Sequence, residues 1–492
     1  MSESAASLRY PLTAKVDQVD DYHGIKVADP YRWLEDPNSD ETKTWIAAQN
    51  EVTFGYLNQL ASREPIKERL TQLWNYEKFS IPFKKANRYF YFKNDGLQNQ
   101  DVLYTLTDLA AEPQVLIDPN TFSADGTIAL SGIALSEDAR LIAYGVSASG
   151  SDWQEWKVRQ VETGADLPDH VQWIKFSGAS WTRDNQGFFY SRYDEPNDAS
   201  KLEDINYFQK LYYHQVGTAQ SDDVLVYERP DQKDWMFGAQ VTEDGRYLII
   251  DVDRGTEPKN LVFWKDLTQP NAPVVELINT FEASYRLIEN EGSIFWFTTD
   301  LDAPKGRVIA IDLTHPEQEH WRELIPEAVE TLLGVSVVNQ QFIAFYLKDA
   351  HTRIKTFHLD GTFIQDIELP GIGAARGFDG KREDTETFYS FTSFTTPTTI
   401  YRYDFATGES TVFRQPQVDF NPDQYQTTQV FYTSNDGTQV PMFIVHKTGI
   451  ALDGNNPTYL YGYGGFNISL TPFFSPSNLV WMEMGGVVAI PN

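Results

Sequence analysis

The sequence predicts a seven-bladed β-propeller, with a helical segment before it and the start of an α/β sheet after it. Three observations carry this expectation. Seven aromatic and β-branched strand cores recur at a spacing of about 50 residues. The stretch ahead of them has helical periodicity rather than alternation. The stretch behind them combines buried-strand patterns with a glycine-rich loop.

The first segment is 1–78. Asp40 is placed to cap a helix over 41–60, with Trp45, Ala48, Val52 and Tyr56 at helical spacing. A second helix is expected to start near Pro65, since proline suits the first helical position. It carries Ile66, Leu70, Leu73 and Trp74 on one face.

The propeller segment is 79–424. Its strand cores are YFYFKN (89–94), LIAYGVS (141–147), FFYSRYD (188–194) and YLIIDVD (247–253), then IFWFTTD (294–300), FIAFYLKD (342–349) and TFYSFTSF (387–394). Asp, Gly, Asn and Pro turns separate them. Three have related leaders, GIALSEDAR, GASWTRDNQ and GAQVTEDGR. An irregular β array is the alternative, and the regular period favours blades of four strands. An aromatic content of 14% suits blades packed face to face.

The last segment, 425–492, reads as the incomplete start of an α/β domain. TTQVFYTSNDGTQVPMFIVHK has the pattern of a hairpin turning at Asn435-Asp436-Gly437. PTYLYGYGGFN then runs a short strand into a glycine-rich loop, and GGVVAIPN is a second buried-strand pattern. The sheet begins here without being finished.

Composition narrows the chemistry. A formal net charge of -30 repels nucleic acid and anionic membrane surfaces, so neither is an expected partner. With no cysteine there is no disulfide, thiolate zinc site or cysteine nucleophile. MSESAASLRYPLTA lacks the basic and apolar regions of a signal peptide, and no apolar run is long enough to span a bilayer. A soluble, cytoplasmic monomer is expected. No phosphate-binding or dinucleotide fingerprint is present, so no cofactor is expected. His315 and His320 in THPEQEH have a spacing that suits no zinc signature, so no metal is expected either.

YPLTAKVDQVDDYHGIKVADPYRWLED (10–36), SASGSDW (147–153) and YGYGGFNIS (461–469) resemble, in order, motifs of the prolyl oligopeptidase family of serine peptidases. The resemblance runs over essentially the whole chain. It implies a seven-bladed propeller inserted in an α/β-hydrolase domain, of which only the N-terminal helices and first strands are present here. It also implies cleavage of short peptides on the carboxyl side of proline by a Ser-Asp-His triad whose members would lie beyond Asn492. Independently, no serine has the G-x-S-x-G surroundings that a strained nucleophile elbow requires. His446 precedes any possible nucleophile, whereas hydrolases of that fold place histidine last, so it reads as an ordinary strand residue.

The resemblance carries the oxyanion-stabilising role onto Tyr463. A phenol hydroxyl can donate to the oxygen that becomes negative in a tetrahedral intermediate, and flanking glycines allow close approach. A tyrosine packed in a turn is the plainer alternative. By the same resemblance Phe466 lines the pocket for the proline ring, with loop packing as its alternative. Phe176 and Met236 correspond more weakly to propeller residues facing the substrate, and blade core is an equal alternative for both. Two functions follow. One is a serine-type endopeptidase lacking its triad and inactive alone, whose partners are short proline-containing peptides. The other is a noncatalytic propeller that binds peptides or proteins.

Overall fold

A computed structural model describes residues 8–196 and 206–492. Two compact units divide the chain after Leu73.

In the first unit a hairpin pairs Val19–Tyr22 with Ile25–Ala28 through Gly24, whose φ of +90° suits glycine. The first helix spans Asp40–Leu57, and its cap is Ser39 rather than Asp40. The Ser39 hydroxyl accepts a hydrogen bond from the Thr42 backbone N–H at 3.1 Å. Asp40 instead supplies negative charge in the first turn, where the helix dipole favours it. Trp45, Ala48 and Val52 are half-buried, while Tyr56 is exposed. The second helix, Arg63–Trp74, begins ahead of Pro65. Proline fits there because first-turn N–H groups have no helical acceptor to lose.

In the second unit, seven consecutive antiparallel sheets occupy 78–117, 128–174, 180–227, 235–278, 285–325, 331–367 and 374–414 among the described residues. Six have four strands in chain order, and the first has a fifth, Phe83–Lys85. Every strand core picked out by its composition forms the second main strand of its sheet, as in Tyr247–Arg254 and Ile294–Thr299. Such a strand is paired along both edges, and both its faces pack on neighbouring sheets, so it is the most apolar of its sheet. Outer strands such as Glu409–Arg414 are largely exposed and carry a weaker signal.

Neighbouring sheets share their cores. Tyr247, Ile249 and Val262 of the fourth sheet pack with Tyr285, Phe295 and Ile309 of the fifth. Trp296 and Val308 of the fifth pack with Phe342 and Tyr346 of the sixth. The aromatic content thus lies between sheets, where edge-to-face pairs such as Trp296–Phe342, with ring centres 5.1 Å apart, add to the burial. The first and seventh sheets meet where Arg414 covers Phe79 and Tyr91.

The hairpins joining first and second strands also carry a chain of ion pairs. Glu137 pairs with both Lys85 and Arg183, and Arg183 and Lys381 both pair with Glu243. Arg382 pairs with Glu289 at 2.6 Å. The chain therefore ties together hairpins that lie far apart in sequence.

A further four-stranded sheet follows. Its order is Tyr425–Thr433, Gln439–Lys447, Val487–Pro491, Thr458–Leu460, with the last two strands parallel and the helix Pro476–Glu483 between them in the chain. The hairpin turns at the expected place, with Gly437 at φ +90°. Phe394, in the connection between the second and third strands of the seventh sheet, lies 5.2 Å from Phe443 and 6.3 Å from Phe473, ring centre to ring centre. No helix among the described residues is long and apolar enough to cross a membrane.

Candidate active site

The glycine loop leaves the sheet at the end of Thr458–Leu460. The Tyr461 N–H donates to the Ala489 carbonyl at 3.0 Å and fixes where the loop departs. A Cβ on Gly465 would lie 3.0 Å from the Tyr463 hydroxyl, so the phenol sits directly over that glycine. Tyr463 is 46% exposed, and no described residue is a hydrogen-bond partner of its hydroxyl. An exposed phenol without an internal acceptor is available to a substrate oxygen.

Phe466 follows in a left-handed conformation, φ 54° and ψ 31°, and is 79% exposed. Each property costs free energy: a left-handed non-glycine residue roughly 1–2 kcal/mol, and an exposed phenylalanine ring its unrealised burial. Strained residues with exposed aromatic rings cluster at ligand sites. His446, by contrast, is buried in its strand, with Nδ1 2.9 Å from the Lys447 carbonyl.

Phe176 and Met236 come together elsewhere. They line one cavity of about 710 Å³ with Tyr193, Tyr207, Asp234 and Arg254. Phe176 is also left-handed, at φ 56°, and 58% exposed, so it is not a core residue. Met236 is half-buried on the first strand of the fourth sheet. The structure places Tyr463 and Phe466 on the glycine loop and this second pair on the propeller segment.

Trp153 of the SASGSDW motif backs this cavity. It is 8% exposed and meets Tyr193 edge to face, ring centres 6.1 Å apart. The Lys175 ammonium lies 5.3 Å from the Trp153 ring and 5.4 Å from the Phe176 ring, so it bridges the two. Burial pushes the Tyr193 phenol up to about 12, keeping it a neutral donor. Met236 faces Asp253 across the strand pair, and desolvation raises that carboxyl. Desolvation, reinforced by Asp253, pushes Asp251 up to about 7 against the pull of Arg286.

Sequence reasoning did not single out Tyr193, Tyr207 or Arg254. Tyr193 and Arg254 stand at the ends of strand cores, where a run of aromatic and apolar residues reads as packing. Their one distinguishing signal is a polar-tipped side chain at the point where pairing stops.

Residues 11–416 match a family model described as prolyl oligopeptidase, N-terminal beta-propeller domain. A prolyl endopeptidase of Elizabethkingia meningoseptica is 41% identical over 491 residues, covering 100% of this chain and 69% of that relative. Prolyl oligopeptidase A of Amanita bisporigera is 34% identical over 524 residues, covering 98% of this chain and 68% of the relative. The solved prolyl oligopeptidase B of Galerina marginata, bound to a 35mer hydrolysis and macrocyclization substrate, superposes with a TM-score of 0.92 at 33% identity. That match covers 99% of this chain and 72% of the other.

Proposed function

The chain belongs to the prolyl oligopeptidase family, and from that premise we propose that it supplies the substrate enclosure and the oxyanion donor of a proline-specific serine oligopeptidase. The observation that carries this reading is the Tyr463 hydroxyl, exposed over Gly465 and without an acceptor among the described residues. Such a donor can meet the oxyanion of a tetrahedral intermediate. Phe466, held out from the same loop, offers a flat wall for a proline ring, which has no N–H to satisfy. Phe176 and Met236 take a more distant part of the peptide.

In this reading the seven sheets are seven blades, and 79–424 is the propeller. Residues 1–78 and 425–492 belong to one α/β-hydrolase domain into which the propeller is inserted. The propeller admits short peptides and excludes folded proteins. The 492-residue chain has no elbow serine, so it binds proline-containing peptides without cutting them.

The test compares this chain with the same chain extended by the downstream segment of a relative, using a proline reporter peptide. Cleavage after proline by the extended chain alone is expected. Serine-inhibitor-sensitive cleavage by the purified 492-residue chain overturns the reading.

A further inference from the structure

Arg376 lies on Ala374–Asp379, the first strand of the seventh sheet, opposite Ser390. Its side chain is exposed and makes no hydrogen bond, ion pair or ring contact with any described residue. Other cations of that sheet are engaged. Lys381 pairs with Glu243, Arg382 with Glu289, Arg402 with Glu386, and Arg414 covers Phe79. The chain has 70 acidic residues against 40 basic ones, so a shortage of carboxylates does not explain the exception.

The surroundings of Arg376 are those of a site. It lines a cavity of about 390 Å³ with Leu333, Phe345, Leu347, Asn467 and Ser469. Leu333 is 58% exposed, and a Cβ built on Gly334 meets nothing within 4 Å, so the wall is apolar and open. Asn467 and Ser469 come from the chain that directly continues the loop of Tyr463 and Phe466. The cavity therefore joins the propeller wall to the end of the candidate oxyanion loop. A guanidinium fork matches a carboxylate in two parallel hydrogen bonds. The apolar wall takes an adjoining side chain, and the amide and hydroxyl can meet a peptide backbone.

We propose that Arg376 and this cavity bind a carboxylate of the peptide substrate, making Arg376 a specificity-determining residue. The proposal rests on the peptide-binding reading above. The carboxylate is either the peptide C-terminus or an acidic side chain near it, since both present the same two oxygens.

Calorimetric titration of the 492-residue chain distinguishes the two sources. The probes are a short N-acetylated proline-containing peptide with a free C-terminus, the same peptide amidated, and the amidated peptide with a penultimate glutamate. A carboxylate peptide should bind about tenfold more tightly than the plain amide, as one charge-assisted contact predicts. The carboxylate-bearing peptide that holds the advantage identifies the source. Arg376→Gln should erase that advantage while leaving amide binding unchanged, and Arg376→Lys should keep part of it. An unchanged melting temperature shows that Arg376→Gln folds. Equal binding of all three peptides, or an advantage that survives Arg376→Gln, overturns the proposal and leaves the peptide-binding reading standing. Failure of every peptide to bind overturns both.

Discussion

The guanidinium of Arg414, on the last strand of the seventh sheet, lies 4.3 Å from the ring centre of Phe79, on the first strand of the first sheet. The same cation lies 5.0 Å from the Tyr91 ring. Residues separated by most of the propeller segment thus meet where its two ends join.

Arg414→Ala is expected to lower stability by about 1 kcal/mol, the scale of a partly desolvated cation–π contact. A double-mutant cycle with Phe79→Leu should return a coupling of similar size. Strictly additive denaturation free energies would show that the contact does not hold the two sheets together.

His214 predicts an alkaline weakening. It is fully buried, with Nδ1 2.7 Å from the Asp223 carboxylate and Nε2 3.0 Å from that of Asp169. Asp169 belongs to the second sheet and His214 to the third, so the imidazole ties two sheets. Burial alone would lower its pKa, but the bonds to the two carboxylates prevail and raise it from 6.5 to about 9. The folded value lies above the unfolded one. The stabilisation is therefore complete below pH 6.5 and is lost as pH rises through about 9. At pH 6, His214→Ala should cost roughly 3–5 kcal/mol, because it strands two buried carboxylates. The melting-temperature gap between wild type and His214→Gln should shrink from pH 6 to pH 10. A constant gap would remove the charged imidazole from the account.

Hydrogen exchange should divide the last sheet. Thr458–Leu460 is an edge strand exposed at all three residues, whereas Val487–Pro491 is paired on both sides and largely buried. Amides of the edge strand should exchange faster. Equal protection would mean that something covers the edge in solution.

Tyr463→Phe should act on turnover. In the chain extended by the downstream segment of a relative, kcat should fall by on the order of 10²–10³, with KM little changed. A contact made only in the transition state shows in turnover rather than in ground-state binding. Steady-state kinetics on a proline reporter separates the two, and an unchanged kcat removes Tyr463 from the oxyanion role.

The seven strand cores, the hairpin at Asn435-Asp436-Gly437 and the motifs at both ends of the chain were legible because each is a local pattern. A second strand such as Tyr247–Arg254 opens on four consecutive buried apolar residues, Tyr247 to Ile250, because sheets cover both its faces, and composition records that directly. The boundary at Ser39 was missed because serine and aspartate both cap helices, and only the bond from Thr42 decides between them. Tyr463 and Phe466 were singled out through the resemblance of their glycine loop to a family motif, not through any property of tyrosine or phenylalanine alone, and their roles stand as proposed above.

By itself the sequence determined the β-sheet repeat, the family and the residues of the glycine loop. Tertiary structure alone decided that Phe176 and Met236 share a cavity, that His214 stands between two carboxylates, that Arg414 joins the first sheet to the seventh and that Arg376 has no partner among the described residues. Strand propensity and loop chemistry act between near neighbours in the chain and so leave a local record. Cavities and charge pairing depend on side chains brought together from distant strands, and no short stretch of sequence encodes which of them will meet.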